Sequence, residues 1–179
     1  MKNFKTRLSG LVLLAPTIFE DDRGSFFESY NELAFKEFGI DVKFVQDNSS
    51  ISNKNVIRGL HYQVGEFAQD KLVRVTSGVV VDCVVDVRPD SPTYGESEWF
   101  ILSQYNYRML FIPKGFAHGF ESLVDNTIFN YKCSNFYNKE FEGGILYNDS
   151  SLDIPWNTNK PIVSAKDLSL PKFGEHKTI

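Results

Sequence analysis

Lys71-Leu72-Val73-Arg74-Val75-Thr76-Ser77-Gly78-Val79-Val80-Val81-Asp82-Cys83-Val84-Val85-Asp86-Val87-Arg88 is the stretch that sets the architecture. β-Branched residues dominate it, and these suit a pleated strand. Ser77-Gly78 breaks the run, as a turn signal does. Side chains alternate across a strand, so Val79, Val81, Cys83, Val85 and Val87 share one face. Val80, Asp82, Val84, Asp86 and Arg88 share the other. Two acids on one face of so apolar a strand indicate a lumen or a solvated side.

Shorter runs of the same kind flank it. Leu11–Phe19 is apolar and contains Pro16, which predicts an edge strand. Asp21-Asp22-Arg23-Gly24 is a turn signal, and Ser25–Tyr30 reads as a strand. Asn31–Phe38 has the spacing of a short helix, with Asn31 placed to cap its start and Gly39 its end. Phe44–Asn48, Glu98–Leu102, Met109–Ile112, Gly119–Leu123 and Ile128–Cys133 read as further strands. From Asp149 to Ile179 the chain carries Pro155, Pro161 and Pro171, and irregular structure wrapped around the strands is expected. Many short strands with little helix predict an antiparallel sandwich or barrel, and 179 residues suffice for one such domain with its own core.

The net charge of −4 argues against a broad nucleic-acid-binding surface. No apolar run approaches a membrane span, and the N-terminal residues lack a secretory pattern, so a cytoplasmic protein is expected. Cys83 and Cys133 sit inside apolar runs and read as buried thiols.

Two of the three histidines lie in glycine-flanked motifs, Arg58-Gly59-Leu60-His61-Tyr62-Gln63 and Pro113-Lys114-Gly115-Phe116-Ala117-His118-Gly119-Phe120. In a regular strand Arg58 and His61 would face opposite ways, but a bulge at Gly59 would bring them together. The third, His176, lies in a polar tail and is expected to be inert. Cupin barrels hold metals with a His-x-His pair and a later Pro-x-Gly-x-x-His. Pro113-x-Gly115-x-x-His118 fits the second pattern, but Val84 and Asp86 occupy the positions of the first. Valine offers a metal no ligand atom, so no metal site is expected. An imidazole titrates near neutral pH and can take a proton from an acidic carbon, which makes His61 a candidate general base. Its orienting carboxylate would be Asp82 or Asp167. Either histidine alone would be read as structural, satisfied by backbone groups; the pair points to function.

Taken in order, a set of motifs resembles the dTDP-4-dehydrorhamnose 3,5-epimerase family. They are Phe19-x-Asp21-x-Arg23-Gly24-x-Phe26-x-Glu28, Phe44-Val45-Gln46-Asp47-Asn48, Arg58–Gln63, Lys71-Leu72-Val73, Asp86-Val87-Arg88-x-x-Ser91 and Ile112–Phe120. Asn148-Asp149, Ile154-x-Trp156 and Ser164-x-Lys166-Asp167 complete the match, which runs over nearly the whole chain. The resemblance implies a single epimerase domain over residues 1–179, built as a cupin-like antiparallel β-barrel (jelly roll) with short helices. It also implies a homodimer that uses neither metal nor cofactor.

The resemblance also implies roles. His61 would be the base, oriented by Asp167, and Tyr131 the acid on the other face of the sugar. Lys71 would stabilise charge on the C4 oxygen, with His118 nearby and Asp82 oriented toward it. Arg23, Glu28, Gln46, Asn48 and Arg58 would hold a nucleotide diphosphate. Tyr137 would stack on the base, and Glu142 and Lys166 would lie at the rim. The family usually has Gln-Gly-Lys where this chain has Gln69-Asp70-Lys71, so Asp70 is expected to restrict the turn or weaken the field of Lys71. The implied substrate is a dTDP-linked 4-keto-6-deoxy sugar, with no nucleic-acid or membrane partner. The rival readings are a 3-epimerase or ketoisomerase of a related nucleotide sugar, and a non-catalytic carbohydrate-binding module.

Overall fold

Residues 1–179 are described by a computed structural model. Lys71–Arg88 forms two strands, but they belong to different sheets. At the break, Gly78 has φ +87° and its N–H donates to Gln104 Oε1 at 2.6 Å. A Cβ there would come within 2.4 Å of Thr127 Oγ1, so only glycine lets the chain turn this corner.

The strands in chain order are β1 (Lys2–Phe4), β2 (Val12–Ala15), β3 (Phe19–Asp21), β4 (Gly24–Phe26), β5 (Gln46–Ser52), β6 (Ile57–Gln63) and β7 (Lys71–Ser77). They continue with β8 (Val79–Asp86), β9 (Ser97–Ser103), β10 (Met109–Ile112), β11 (Phe116–Ser122), β12 (Thr127–Cys133) and β13 (Glu142–Gly144). One antiparallel sheet has the order β1-β2-β10-β7-β12-β5, and the other β13-β6-β11-β8-β9; β3 and β4 form a separate hairpin. This is a jelly-roll sandwich of the cupin type.

The main core lies between the sheets and includes Leu13, Val73, Val75, Val80, Val84 and Leu110. Each outer face is also covered. Helix α1 (Glu32–Lys36), capped at Asn31 as expected, brings Phe35 with Ile40 onto Leu14, Leu72, Met109 and Phe111. Ile145, Leu152, Ile154, Trp156 and Phe173 cover Leu60, Val85 and Ala117 on the other sheet. Both faces of β8 are therefore buried, and Asp82 points into the lumen rather than to solvent.

Several expectations need correction. The strand at Val12–Ala15 ends before Pro16 and lies between β1 and β10, so it is not an edge; β1 is. The strand expected at Ser25–Tyr30 stops at Phe26, and the one at Phe44–Asn48 runs from Gln46 to Ser52. β1 and β13 were not foreseen. The proline-containing tail is not wholly irregular, because Ala165–Leu168 forms helix α2. His176 is buried among Tyr62, Tyr94 and Phe173 rather than exposed on a polar tail, and burial lowers its pKa. Both cysteines are free and buried, as expected. No helix is long and apolar enough to cross a membrane.

Candidate active site

At one end of the lumen the sheets part around a cavity of about 760 Å³. Phe120 and Phe129, stacked with centroids 4.1 Å apart, belong both to the core and to the cavity wall.

The bulge read from Gly59 is present. Along β11, His118 pairs with His61 and Phe120 with Arg58, so three steps on β6 match two on β11. Arg58 and His61 consequently line the same cavity. Gly59 has φ +126°, and a Cβ on it would lie 2.6 Å from the Gly119 Cα. The neighbouring strand permits only glycine here.

Between the two acids left open as partner for His61, the geometry selects Asp167. His61 Nε2 lies 2.8 Å from Asp167 Oδ1. Asp167 Oδ2 accepts from the Gly59 N–H at 3.2 Å. Ser164 caps α2 by accepting from the Asp167 N–H at 3.0 Å, which fixes the carboxylate from its own backbone. Burial alone would raise the Asp167 pKa, but His61, the Gly59 N–H and Ser164 outweigh it and hold the pKa low. Asp167 therefore stays an anion and an acceptor for the Nε2–H. That tautomer leaves the lone pair on Nδ1 of His61.

The six-stranded sheet supplies the facing wall. Tyr131 on β12 sits opposite Asn48 on β5, and both side chains reach the cavity. Burial raises the Tyr131 pKa, helped by Cys133 and opposed by Arg58, so its hydroxyl keeps its proton. Lys71 opens β7, and its Nζ donates to the His61 carbonyl at 3.3 Å. Burial lowers the Lys71 pKa, while Cys133, Asp82 and Glu142 pull it back up. Asp82 carries out the second histidine pairing: its Oδ2 lies 2.8 Å from His118 Nε2, and both residues are buried. Burial raises the Asp82 pKa, against the pull of His118 and Lys71.

At the rim, Lys166 Nζ meets both oxygens of Glu142 at 2.6 Å, and Tyr137 donates to the same carboxylate at 3.1 Å. Gln46 accepts from the Tyr137 N–H at 3.1 Å, and Gln63 accepts from the Asn138 N–H at 3.0 Å, so β5 and β6 fix the loop that carries Tyr137.

Two expected residues are not brought here. Arg23 pairs with Asp21 at the tip of the β3–β4 hairpin, and Glu28 accepts from Asn31; neither lines the cavity. Asp70 makes its side-chain bonds elsewhere than to Lys71. Its Oδ1 accepts from the Lys114 N–H at 3.0 Å and its Oδ2 from Ser134 at 2.9 Å, so it pins the turn. The cavity wall also contains Ser50 and Cys133, which were not foreseen. Each continues the period-two face of a residue that was, Asn48 and Tyr131, and that alternation was the available signal.

A jelly roll whose cavity sets a histidine–carboxylate pair against a protonated tyrosine, with a lysine beside them, has the build of an acid–base enzyme for carbonyl-bearing substrates. The comparisons with known proteins narrow this class. The chain belongs to the dTDP-4-dehydrorhamnose 3,5-epimerase family, whose profile matches residues 5–175. It is 49% identical to the dTDP-4-dehydrorhamnose 3,5-epimerase of Escherichia coli K12, over 98% of this chain and 96% of that one. The crystal structure of the Bacillus anthracis enzyme with TDP and PPi bound superposes with a TM-score of 0.94, at 46% identity, covering 96% of this chain and 98% of that one. The Legionella pneumophila enzyme in complex with dTDP-4-keto-L-rhamnose gives 0.93 at 42% identity, covering 97% and 93%.

Proposed function

We propose that residues 1–179 act as one epimerase domain that inverts C3 and C5 of dTDP-4-dehydro-6-deoxy-D-glucose to give dTDP-4-dehydro-L-rhamnose. The observation that carries this is the placement of His61 and Tyr131 on opposed sheets around one cavity. The C4 ketone acidifies the hydrogens on C3 and C5. His61 takes the proton from one carbon, and the electron pair moves onto the C4 oxygen, where Lys71 stabilises it. Tyr131 then returns a proton to the carbon from the other face, which inverts it. Exchange with solvent restores His61 and Tyr131, and repetition at the second carbon completes the reaction. No electrons leave the substrate, so the chemistry calls for no redox partner.

The functional unit we propose is a homodimer. The β3–β4 hairpin pairs with no other strand and carries Phe19 and Phe26 at 62% and 72% exposure. Arg23 and Glu28 lie on and just beyond it, away from their own cavity. A second copy presenting its hairpin would bring both to the nucleotide diphosphate held by Gln46, Asn48 and Arg58.

The test is incubation with dTDP-4-keto-6-deoxyglucose in heavy water, followed by NMR. Deuterium at both C3 and C5 with formation of the L-sugar supports the proposal. Deuterium at C3 alone would make the chain a 3-epimerase, and none at either carbon a binding module.

A further inference from the structure

One alternating face of β5 is a polar ladder of Gln46, Asn48, Ser50 and Ser52, and its first three members line the cavity. Three of its members are engaged within the chain. Gln46 donates to Asn48 at 3.1 Å, Asn48 points its amide at Cys133 Sγ at 3.7 Å, and Ser52 accepts from Arg58 Nε at 3.1 Å. The fourth is not. Ser50 lines the cavity as a residue, and its Oγ is buried with no hydrogen-bond partner within the chain. Only one other buried side-chain oxygen shares this condition, Oδ1 of Asp82, whose carboxylate is already held by His118 through Oδ2. A buried hydroxyl without a partner costs stability, so a fold retains one where something else completes it.

The neighbourhood of Ser50 defines that completing group. Ser50 sits opposite Phe129 in the β5–β12 register, so its own wall offers no acceptor. One pleat along, Ser52 anchors Arg58, whose Nη2 also donates to the Ile51 carbonyl at 3.3 Å. These two bonds fix the guanidinium and leave Nη1 unengaged within the chain. A hydroxyl donor and a fixed cation lining the same cavity suit an anionic oxygen, because hydrogen bonds to ionised acceptors are the stronger kind. We propose that Ser50 is a further substrate-binding residue, donating to a phosphate oxygen of the diphosphate beside Arg58. This rests on the epimerase reading above, since it assumes that the cavity takes a nucleoside diphosphate.

Calorimetric titration of wild type, Ser50→Ala and Ser50→Thr with dTDP and with inorganic pyrophosphate tests the assignment, alongside thermal melts without ligand. Ser50→Ala should bind both probes about tenfold more weakly, the scale of a hydrogen bond to a charged group. Its ligand-free melting temperature should hold or rise, because an unpartnered buried hydroxyl has been removed. Ser50→Thr keeps the donor and should recover most of the affinity. In turnover, KM should rise more than kcat falls. Wild-type affinity in Ser50→Ala overturns the assignment, and so does a weakening confined to dTDP while pyrophosphate binding is unchanged. A drop in ligand-free melting temperature that parallels the affinity loss shows a structural role instead, and also overturns it. Failure of the wild-type protein to bind dTDP would overturn the epimerase reading itself, and this inference with it.

Discussion

His61 on β6 and Tyr131 on β12 face one cavity from opposite sheets, with Lys71 reaching the backbone of the first from the sheet of the second. If they serve opposite faces of one ring, Tyr131→Phe should still form the enolate. Reprotonation would then come from the histidine side and restore the starting configuration. The variant should exchange substrate hydrogen for deuterium faster than it makes inverted product, read by NMR in heavy water. Equal loss of exchange and inversion would remove Tyr131 as a separate acid. Asp167→Asn should slow both together, since Asp167 holds the His61 imidazole.

His61→Asn should lose turnover by about 10²–10⁴-fold while it still binds dTDP, the scale of a missing general base. Retention of more than about a tenth of wild-type turnover would assign the base elsewhere. Gly59→Ala should harm folding as well as rate, because its Cβ meets the Gly119 backbone. A thermal melt separates the two variants.

Asp70 offers a contrast in sign. If its carboxylate weakened the field at Lys71, Asp70→Ala would raise kcat. Its bonds to Lys114 and Ser134 predict instead a loss of about 1–3 kcal/mol in stability with no gain in kcat. Chemical denaturation and steady-state kinetics on one variant decide.

Asp86 should govern part of the acid stability. It is fully buried and bonded to Arg88, Ser91 and Thr93. Burial alone would raise its pKa, but these bonds pull it from 3.8 down to about 2. A pKa depressed by folding gives stability that is present above the unfolded value and is lost as pH falls toward the folded one. The contribution at neutral pH is about 2 kcal/mol. Asp86→Asn should therefore be less stable than wild type at pH 7, and the gap should narrow below pH ~4 and close near pH ~2. A gap that stays constant through that range would show the effect to be packing.

Val84 stands in register with His118, at a position where a cupin metal site would need a ligand. Chelator treatment should leave activity unchanged. Activity lost with a stoichiometric metal and restored on its return would refute this.

The sequence displayed the strands wherever alternation was long. β7 and β8 were plain because both runs are β-branched, and the start of α1 because Asn31 caps it; its end falls at Lys36, short of the expected Phe38 and Gly39. β1 and β13 span three residues each, too few for any period to show. α2 was masked by the surrounding prolines, although Ser164-x-x-Asp167 is a helix-start signature that would have revealed it. His61 and its bulge were legible from Gly59. The choice between Asp82 and Asp167 was not, because it depends on which segment packs against which strand. Arg23 and Glu28 show the converse: motif membership places them at the site, and within one chain they lie outside its cavity.

Asp167 comes from a segment that follows all thirteen strands in the chain. During synthesis the barrel strands and His61 are made first, and the carboxylate that meets the imidazole emerges later. A chain halted after β13 would have its histidine and tyrosine walls but no Asp167 to hold the imidazole. Catalytic competence thus trails the formation of the sandwich, and exchange activity would report whether the tail has docked where strand content could not.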